Sequence, residues 1–296
     1  VSEDLSQSKV ERTDLILESY SGTGPSGSGA TDTLGFRTGP SGTVFTPTLN
    51  YADFGTIVLT SPQGWGTDAT NLPFGQAGYY NSPSIEDELT AIRLSATRSF
   101  DEGFLEDITF GVNLTSREKS FVADEYFLRL GAGLASAPIP ASARLGTTSL
   151  AFIGIPGMVS YDPFALLNSG VYQRVRNANA DVRSKDWAVE EDVTTWYVKA
   201  DIDTELASMP LTGNMGLQVV QTDQSSNAFA ASNIGGTVFT VPVKGGTEYT
   251  EVLPSLNLIW QLPAEQFVRF GAARTLARPR MDQMRASFNF GYDTSK

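Results

Sequence analysis

The chain has 296 residues, 18 % of them charged, and a net charge of −12. The acidic surplus excludes nucleic-acid binding that works by neutralising phosphates, and so low a charged fraction does not describe an ordinary soluble surface. There is no Cys and no His, which excludes disulfides and thiolate metal sites and removes the commonest general base and metal ligand.

No apolar run reaches the roughly 18 residues that a transmembrane helix needs, and no signal-peptide pattern is present. Residues 5–18 alternate loosely between apolar and polar and predict a first strand. Residues 21–84 follow as a long connection rich in Gly, Ser, Pro and Asn. Within it GTGPSG, from Gly22 to Gly27, fits GxGxxG, but no helical pattern follows to present an N-terminus to a pyrophosphate, so a flexible loop is the better reading. Trp65, Tyr79 and Tyr80 lie in the same stretch. Aromatic faces stack on sugars, which makes these three candidate ligand contacts; loop aromatics also pack loops against their neighbours.

A hairpin is predicted over residues 86–118. Ile92, Leu94 and Ala96 oppose Arg93, Ser95 and Thr97; Asp101-Glu102-Gly103 forms the turn; Ile108, Phe110, Val112 and Leu114 then oppose Asp107, Thr109, Gly111, Asn113 and Thr115. A second long connection spans 120–185. Residues 163–176 within it read as a helix, with Asp162 as N-cap and Pro163 at the first position. Glu190, Glu191 and Asp192 follow. Three adjacent acids could hold a hard cation such as Ca²⁺, and they equally suit a solvated rim; no metal or cofactor is expected.

The clearest period-two pattern comes next. Val198, Ala200, Ile202 and Thr204 share one face of a strand; Lys199, Asp201, Asp203 and Glu205 share the other. After a short turn at residues 207–210, Met215, Leu217 and Val219 alternate with Asn214, Gly216 and Gln218. Residues 224–246 read as a third long connection. A last hairpin covers 249–276, with Leu256, Leu258 and Trp260 on one face, a turn near Pro263-Ala264-Glu265, and Val268 and Phe270 set against Arg269.

Short turns thus alternate with long connections, the asymmetry of a transmembrane barrel with tight periplasmic turns and long extracellular loops. A soluble sandwich carries turns every 8–12 residues or so and few loops of this length. Placing the short turns on one side gives about seven membrane strands. Phe100, Phe104, Trp260 and Phe267 lie near the short turns, and Trp196 lies about nine residues from the next one, as two aromatic girdles would require. The expected fold is all-β, an antiparallel transmembrane β-barrel segment that is part of a larger barrel. Asp201, Asp203 and Glu205 then line a wet interior and are not a general acid–base pair. The residues expected to face the lumen are Asn113, Arg117, Lys199, Asp201, Asp203, Asn214, Gln218 and Arg269. No nucleophile–base pair can be built on His, and none of another type is suggested, so catalysis is not expected.

Several stretches resemble the barrel of TonB-dependent receptors: YTEVLPSLNL at 249–258, VRFGAARTLARP at 268–279, DELTAIRL at 87–94, GVNLTSREK at 111–119 and GLQVVQTDQSS at 216–226. The set is similar to large proteobacterial receptors often tied to carbohydrate uptake. The resemblance implies a barrel of about 22 strands around a plug, in the outer membrane of a Gram-negative bacterium. It implies as partners outer-membrane lipid, the protein's own plug domain and, through it, the TonB complex. The implied activity is energy-coupled uptake of a bulky solute, an oligosaccharide first and a siderophore or other iron chelate second. No plug pattern, TonB box or terminal aromatic strand is found, so residues 1–296 are expected to be a partial barrel domain with plug and C-terminal strands lying elsewhere. Two other readings stay open. One is a passive porin-like barrel; the other is a soluble β-rich adhesin or carbohydrate-binding module, which would need a second sheet over Val198, Ile202, Leu256 and Phe270.

Overall fold

The computed structural model describes residues 1–25, 29–61 and 76–291. The chain folds as two compact units. One comprises residues 1–12, 84–122 and 183–296, the other residues 13–83 and 123–182.

The first unit is one large sheet. Its strands are β1 (Ser2–Thr13), β2 (Ser84–Ser99), β3 (Leu105–Val122), β4 (Trp187–Leu206), β5 (Met209–Ile234), β6 (Thr237–Leu262) and β7 (Gln266–Ala273), each hydrogen-bonded to the next in chain order. The pairs from β2 to β7 are antiparallel. A short β8 (Phe288–Gly291) runs parallel to β5 along residues 230–233, where β4 no longer reaches. All three predicted hairpins are present, and the fold is the expected all-β barrel segment. The outer edges of β1 and β7 pair with nothing among the described residues. In lipid such edges must be closed by further strands, because each open N–H and C=O would be unsatisfied.

The strands run further than the sequence suggests. Residues 224–246, read above as a loop, are the far half of a hairpin in which β5 and β6 hold register from Leu211↔Trp260 to Ile234↔Thr237. At about 3.3 Å per residue a 26-residue strand is roughly 85 Å long, whereas about 9–11 residues cross a bilayer. Beyond the hydrocarbon neither face has to be apolar: Thr222, Gln224, Ser226 and Ala228 are buried on one face and Asp223 and Asn227 exposed on the other, so the residue types there carry no apolar–polar alternation. Pro254 is tolerated inside β6 for a local reason. Its carbonyl accepts from Arg274 N at 3.0 Å, so its missing N–H also faces the β7 side, at the point where that ladder ends.

The tight turns demand left-handed backbone. Gly235 and Gly236 have φ of +59° and +84°, the two-residue turn whose twist matches a hairpin. Between β4 and β5 the same geometry falls on Ala207 and Ser208, at +56° and +60°, while Met209 and Pro210, placed in the turn above, already pair with Leu206 and Glu205. Ala264 and Glu265 are likewise left-handed.

The second unit shows that the first two long connections are folded structure. Ile16–Ser19, Gly78–Asn81, Glu125–Leu130 and Tyr172–Arg176 form a four-stranded antiparallel sheet in that order. Ser21–Gly22, Val58–Thr60 and Ser136–Ala137 form a second sheet, and Gly35–Gly39 with Gly42–Thr46 and Arg144–Leu150 with Ile155–Tyr161 form two ribbons. Leu59, Leu128, Ile139 and Leu166 are fully buried in a common core. The predicted helix is shorter than residues 163–176. It spans Pro163–Asn168, with the Asp162 carboxylate accepting from Phe164 N and Ala165 N. Gly170, at φ +77°, follows its end, and the alternating Tyr172–Arg176 becomes a strand.

Asp32 fastens residues 29–61. Its Oδ1 accepts from Thr48 N, Thr48 Oγ1 and Leu49 N, and its Oδ2 accepts from Tyr51 Oη at 2.8 Å. The Thr48 hydroxyl and these further donors hold the carboxyl down at about 2.

Two predictions follow from these geometries. An L-residue in the left-handed region costs about 1–2 kcal/mol, so Ala207→Asn with Ser208→Gly should raise stability by roughly 1–2 kcal/mol, read as a higher urea midpoint of the refolded barrel. For Asp32, the folded pKa lies below the ordinary 3.8, so its contribution is present above that value and lost as pH falls from about 4 towards about 2. Amide protection of Thr48 and Leu49, corrected for intrinsic exchange, should fall over that window. In Asp32→Ala it should be low already at pH 5 and insensitive to pH.

Candidate functional site

The ladder register assigns every side chain of the large sheet to a face. Asp201 lies opposite Asp107 and Asn214, Lys199 opposite Thr109 and Gly216, and Gln218 opposite Tyr197. Asn113 pairs with Thr195, Arg117 with Glu191, Asp203 with Thr212 and Arg269 with Ile259. All eight residues expected to line a lumen therefore share one face. That face is knitted by polar contacts: Lys199 Nζ to Asp201 Oδ2 at 2.6 Å, Asn257 Nδ2 to Asn214 Oδ1 at 3.1 Å, and Arg117 bidentate on Asp87 at 2.8 and 2.7 Å, with Lys119 added at 3.1 Å.

The opposite face is apolar and open. Phe110 is 56 % exposed, Trp196 54 % and Phe270 55 %, with Leu94, Val198 and Leu217 beside them. No second sheet covers them among the described residues. Ile202, by contrast, is buried, next to the register shift opposite Leu105 and Asp107. A continuous apolar surface of this extent far exceeds what a soluble monomer leaves in water, which disfavours the adhesin-type reading.

The apolar band has a sharp upper limit. Trp196, Val219 and Val252 stand in one row across β4, β5 and β6; two steps above come Thr194, Gln221 and Thr250; the next outward row is Asp192, Asp223 and Glu248. Three carboxylates directly opposite one another repel and cannot sit in hydrocarbon, so the hydrocarbon ends between the Trp196 and Asp192 rows. At the other end the Trp260 indole donates to Leu206 O at 3.2 Å, beside a short turn. Phe267 departs from the girdle expectation, for it pairs with Gln261 and lies on the polar face with Arg269.

The same alternation disposes of the Glu190-Glu191-Asp192 cation reading. Glu191 points to the polar face, and its neighbours point outward. Glu191 is instead claimed by Gln224 Nε2 at 2.6 Å and Arg278 Nη1 at 2.7 Å. No metal-holding group of acids occurs among the described residues.

Of the candidate ligand contacts, Trp65 lies outside the described residues, as do Ser26 and Gly27 of the GxGxxG stretch. Gly22 ends a short strand paired with Val58–Thr60, not a phosphate-binding turn. Tyr79 packs edge-on to Tyr20 and against Phe127; Tyr80 meets Tyr126 and carries the Arg174 guanidinium 4.7 Å from its ring centre. The open concavity of the second unit lies elsewhere, a cavity of about 590 Å³ lined by Tyr51, Tyr161, Asp32, Ser21, Thr23 and Ser160 among others. Asp32 is already spent on Thr48, Leu49 and Tyr51, the Tyr161 hydroxyl meets Ser19 Oγ and the Thr23 hydroxyl donates to Ala30 O, so the lining offers two tyrosine rings, aliphatic surface from Leu49, Ile57 and Met158, and the hydroxyls of Ser21 and Ser160.

Tyr197 was missed in the sequence reading, although Gly111 signalled it, since a strand glycine marks close backbone approach. Tyr197 lies opposite Gly111 on the polar face and accepts from Arg93 Nε at 3.3 Å. A Cβ at Gly111 would stand 2.7 Å from the Tyr197 ring and 2.4 Å from Leu94 O. Gly111→Ala should therefore cost about 1–3 kcal/mol by overpacking, seen as a lower urea midpoint of the refolded barrel. The Leu94 carbonyl keeps Tyr197→Ala from fully rescuing it.

A family profile described as TonB dependent receptor-like, beta-barrel, matches residues 19–295. No curated protein and no solved structure matches the chain. The match spans both units, and an antiparallel sheet with one apolar and one polar face fits the wall of a membrane barrel; the chain belongs to the TonB-dependent receptors, as part of their outer-membrane β-barrel.

Proposed function

We propose that this chain forms part of the wall of a receptor that draws a bulky, hydroxyl-rich solute, an oligosaccharide, across the outer membrane with energy delivered through a plug domain and TonB. The observation that carries the reading is the division of one sheet into an open apolar face and a polar face bearing Asn113, Arg117, Lys199, Asp201, Asp203, Asn214, Gln218 and Arg269. A wall of that kind separates lipid from a wet passage. Support for a neutral solute comes from the loops. The 590 Å³ cavity presents the Tyr51 and Tyr161 rings, with the Ser21 and Ser160 hydroxyls beside them, and aromatic faces stack on sugars while hydroxyls hydrogen-bond them. An anionic iron chelate would meet a chain with a surplus of 12 negative charges.

Deletion of the gene tests this by growth on maltodextrins, xylo-oligosaccharides or cello-oligosaccharides as sole carbon source. Growth on one class should fail while growth on its monosaccharide persists, and a strain without TonB should show the same defect. A defect confined to iron-limited medium would reassign the solute to an iron chelate, and uptake that survives loss of TonB would leave a passive barrel.

A further inference from the structure

Past β7 the chain leaves the ladder and folds over the sheet. Arg274 anchors the departure, with its N donating to Pro254 O at 3.0 Å, its Nη1 to Val252 O at 3.2 Å, and its Nη2 to Glu251. β8 anchors the other end on β5. Between these points residues 278–286 cross the polar face. Arg278 Nη1 meets Glu191, whose side chain is only 11 % exposed and also accepts from Gln224. Met281 is buried against Trp187, Val189 and Ala228, and Ala286 N donates to Ser226 Oγ at 2.9 Å. Register places Glu191, Val189, Gln224, Ser226 and Ala228 all on the face of Asn113 and Lys199.

We infer that residues 278–286 are a strap lying inside the passage, latched by the Glu191–Arg278 pair, and that it swings clear when solute is imported. The inference rests on the import reading for its role but not for its geometry. If the polar face encloses the passage, whatever lies on it narrows that passage. The strap is held by the Glu191–Arg278 pair, the Ala286 N to Ser226 Oγ hydrogen bond and the packing of Met281, Met284 and Ala286, side-chain contacts that can be broken and remade, whereas the sheet beneath is held by backbone ladders. Glu191 is nearly shielded from water, so Glu191→Gln takes away the charge of the latch without touching the ladder.

The chain contains no cysteine, so introduced thiols are the only ones it contributes. In the full receptor on intact cells, Ala228→Cys should react with a small water-soluble maleimide at least tenfold more slowly than Asn227→Cys, its exposed neighbour on the other face. Glu191→Gln should speed labelling at Ala228→Cys at least tenfold and leave Asn227→Cys unchanged. Heat-modifiable mobility of each variant confirms a folded barrel. Equal labelling with the latch intact, or no response to Glu191→Gln, overturns the strap. A Ser226→Cys, Ala286→Cys disulfide should then abolish uptake of the oligosaccharide on which the deletion strain fails to grow, and a reductant should restore it. A disulfide that forms and leaves uptake unchanged overturns the gating role. A native receptor without TonB-coupled uptake of any of the three oligosaccharide classes overturns the import reading, and gating with it, whatever the labelling shows.

Discussion

Everything in the large sheet depends on the backbone ladder from β2 to β7, which shifts register once, between Asp201 and Ile202 at the β3–β4 pair. In lipid no water can serve an unpaired N–H or C=O, so each strand must have a neighbour along its whole crossing. Once the ladder is fixed, side chains can only alternate. A one-residue slip of β4 would put Lys199 and Asp201 on the lipid side in place of Val198 and Ala200. The burial of charge that would follow is costlier than any single contact on either face, so the hydrophobic pattern and the hydrogen bonds enforce one register together.

The second unit obeys a different constraint. Its strands are short, two to seven residues, and cannot hold together by ladders alone. They are held by an ordinary water-excluding core around Leu59, Leu128, Ile139 and Leu166, supplemented by local carboxylate clasps at Asp32, Asp53 and Asp162. Burial in this core raises the Tyr172 hydroxyl's pKa well above its usual value. Segments of the chain remote in sequence therefore depend on one another here.

What the sequence disclosed follows from which physics governs each stretch. Where one face meets lipid and the other water, period two is clean, and the three hairpins and their faces were legible from Leu94, Val198 or Phe270 alone. Where neither face meets lipid, as in residues 224–246, the covered face is made of small and polar residues such as Gln224, Ser226 and Ala228, and a regular hairpin looked like a loop. The helix expected over 163–176 was overrun because a good cap at Asp162 says where a helix starts, while Gly170 decides where it ends. Tyr79 and Tyr80 stood out by type, but their surroundings of Tyr20, Phe127, Tyr126 and Arg174 are assembled from segments that no local pattern links. The path of residues 274–291 across the polar face was illegible for the same reason.

The outward row Asp192, Asp223 and Glu248 gives these pieces a common depth. It marks where hydrocarbon must stop, since carboxylates facing one another are tolerable only in water. Glu191 is one residue from that row and points the other way, so the Arg278 latch stands at the same height on the inner face. The lipid boundary outside and the strap inside are thus set by consecutive residues of one strand. Lengthening or shortening β4 at this point would move both together, and the alternation that seats the barrel in its membrane also fixes where the strap can close.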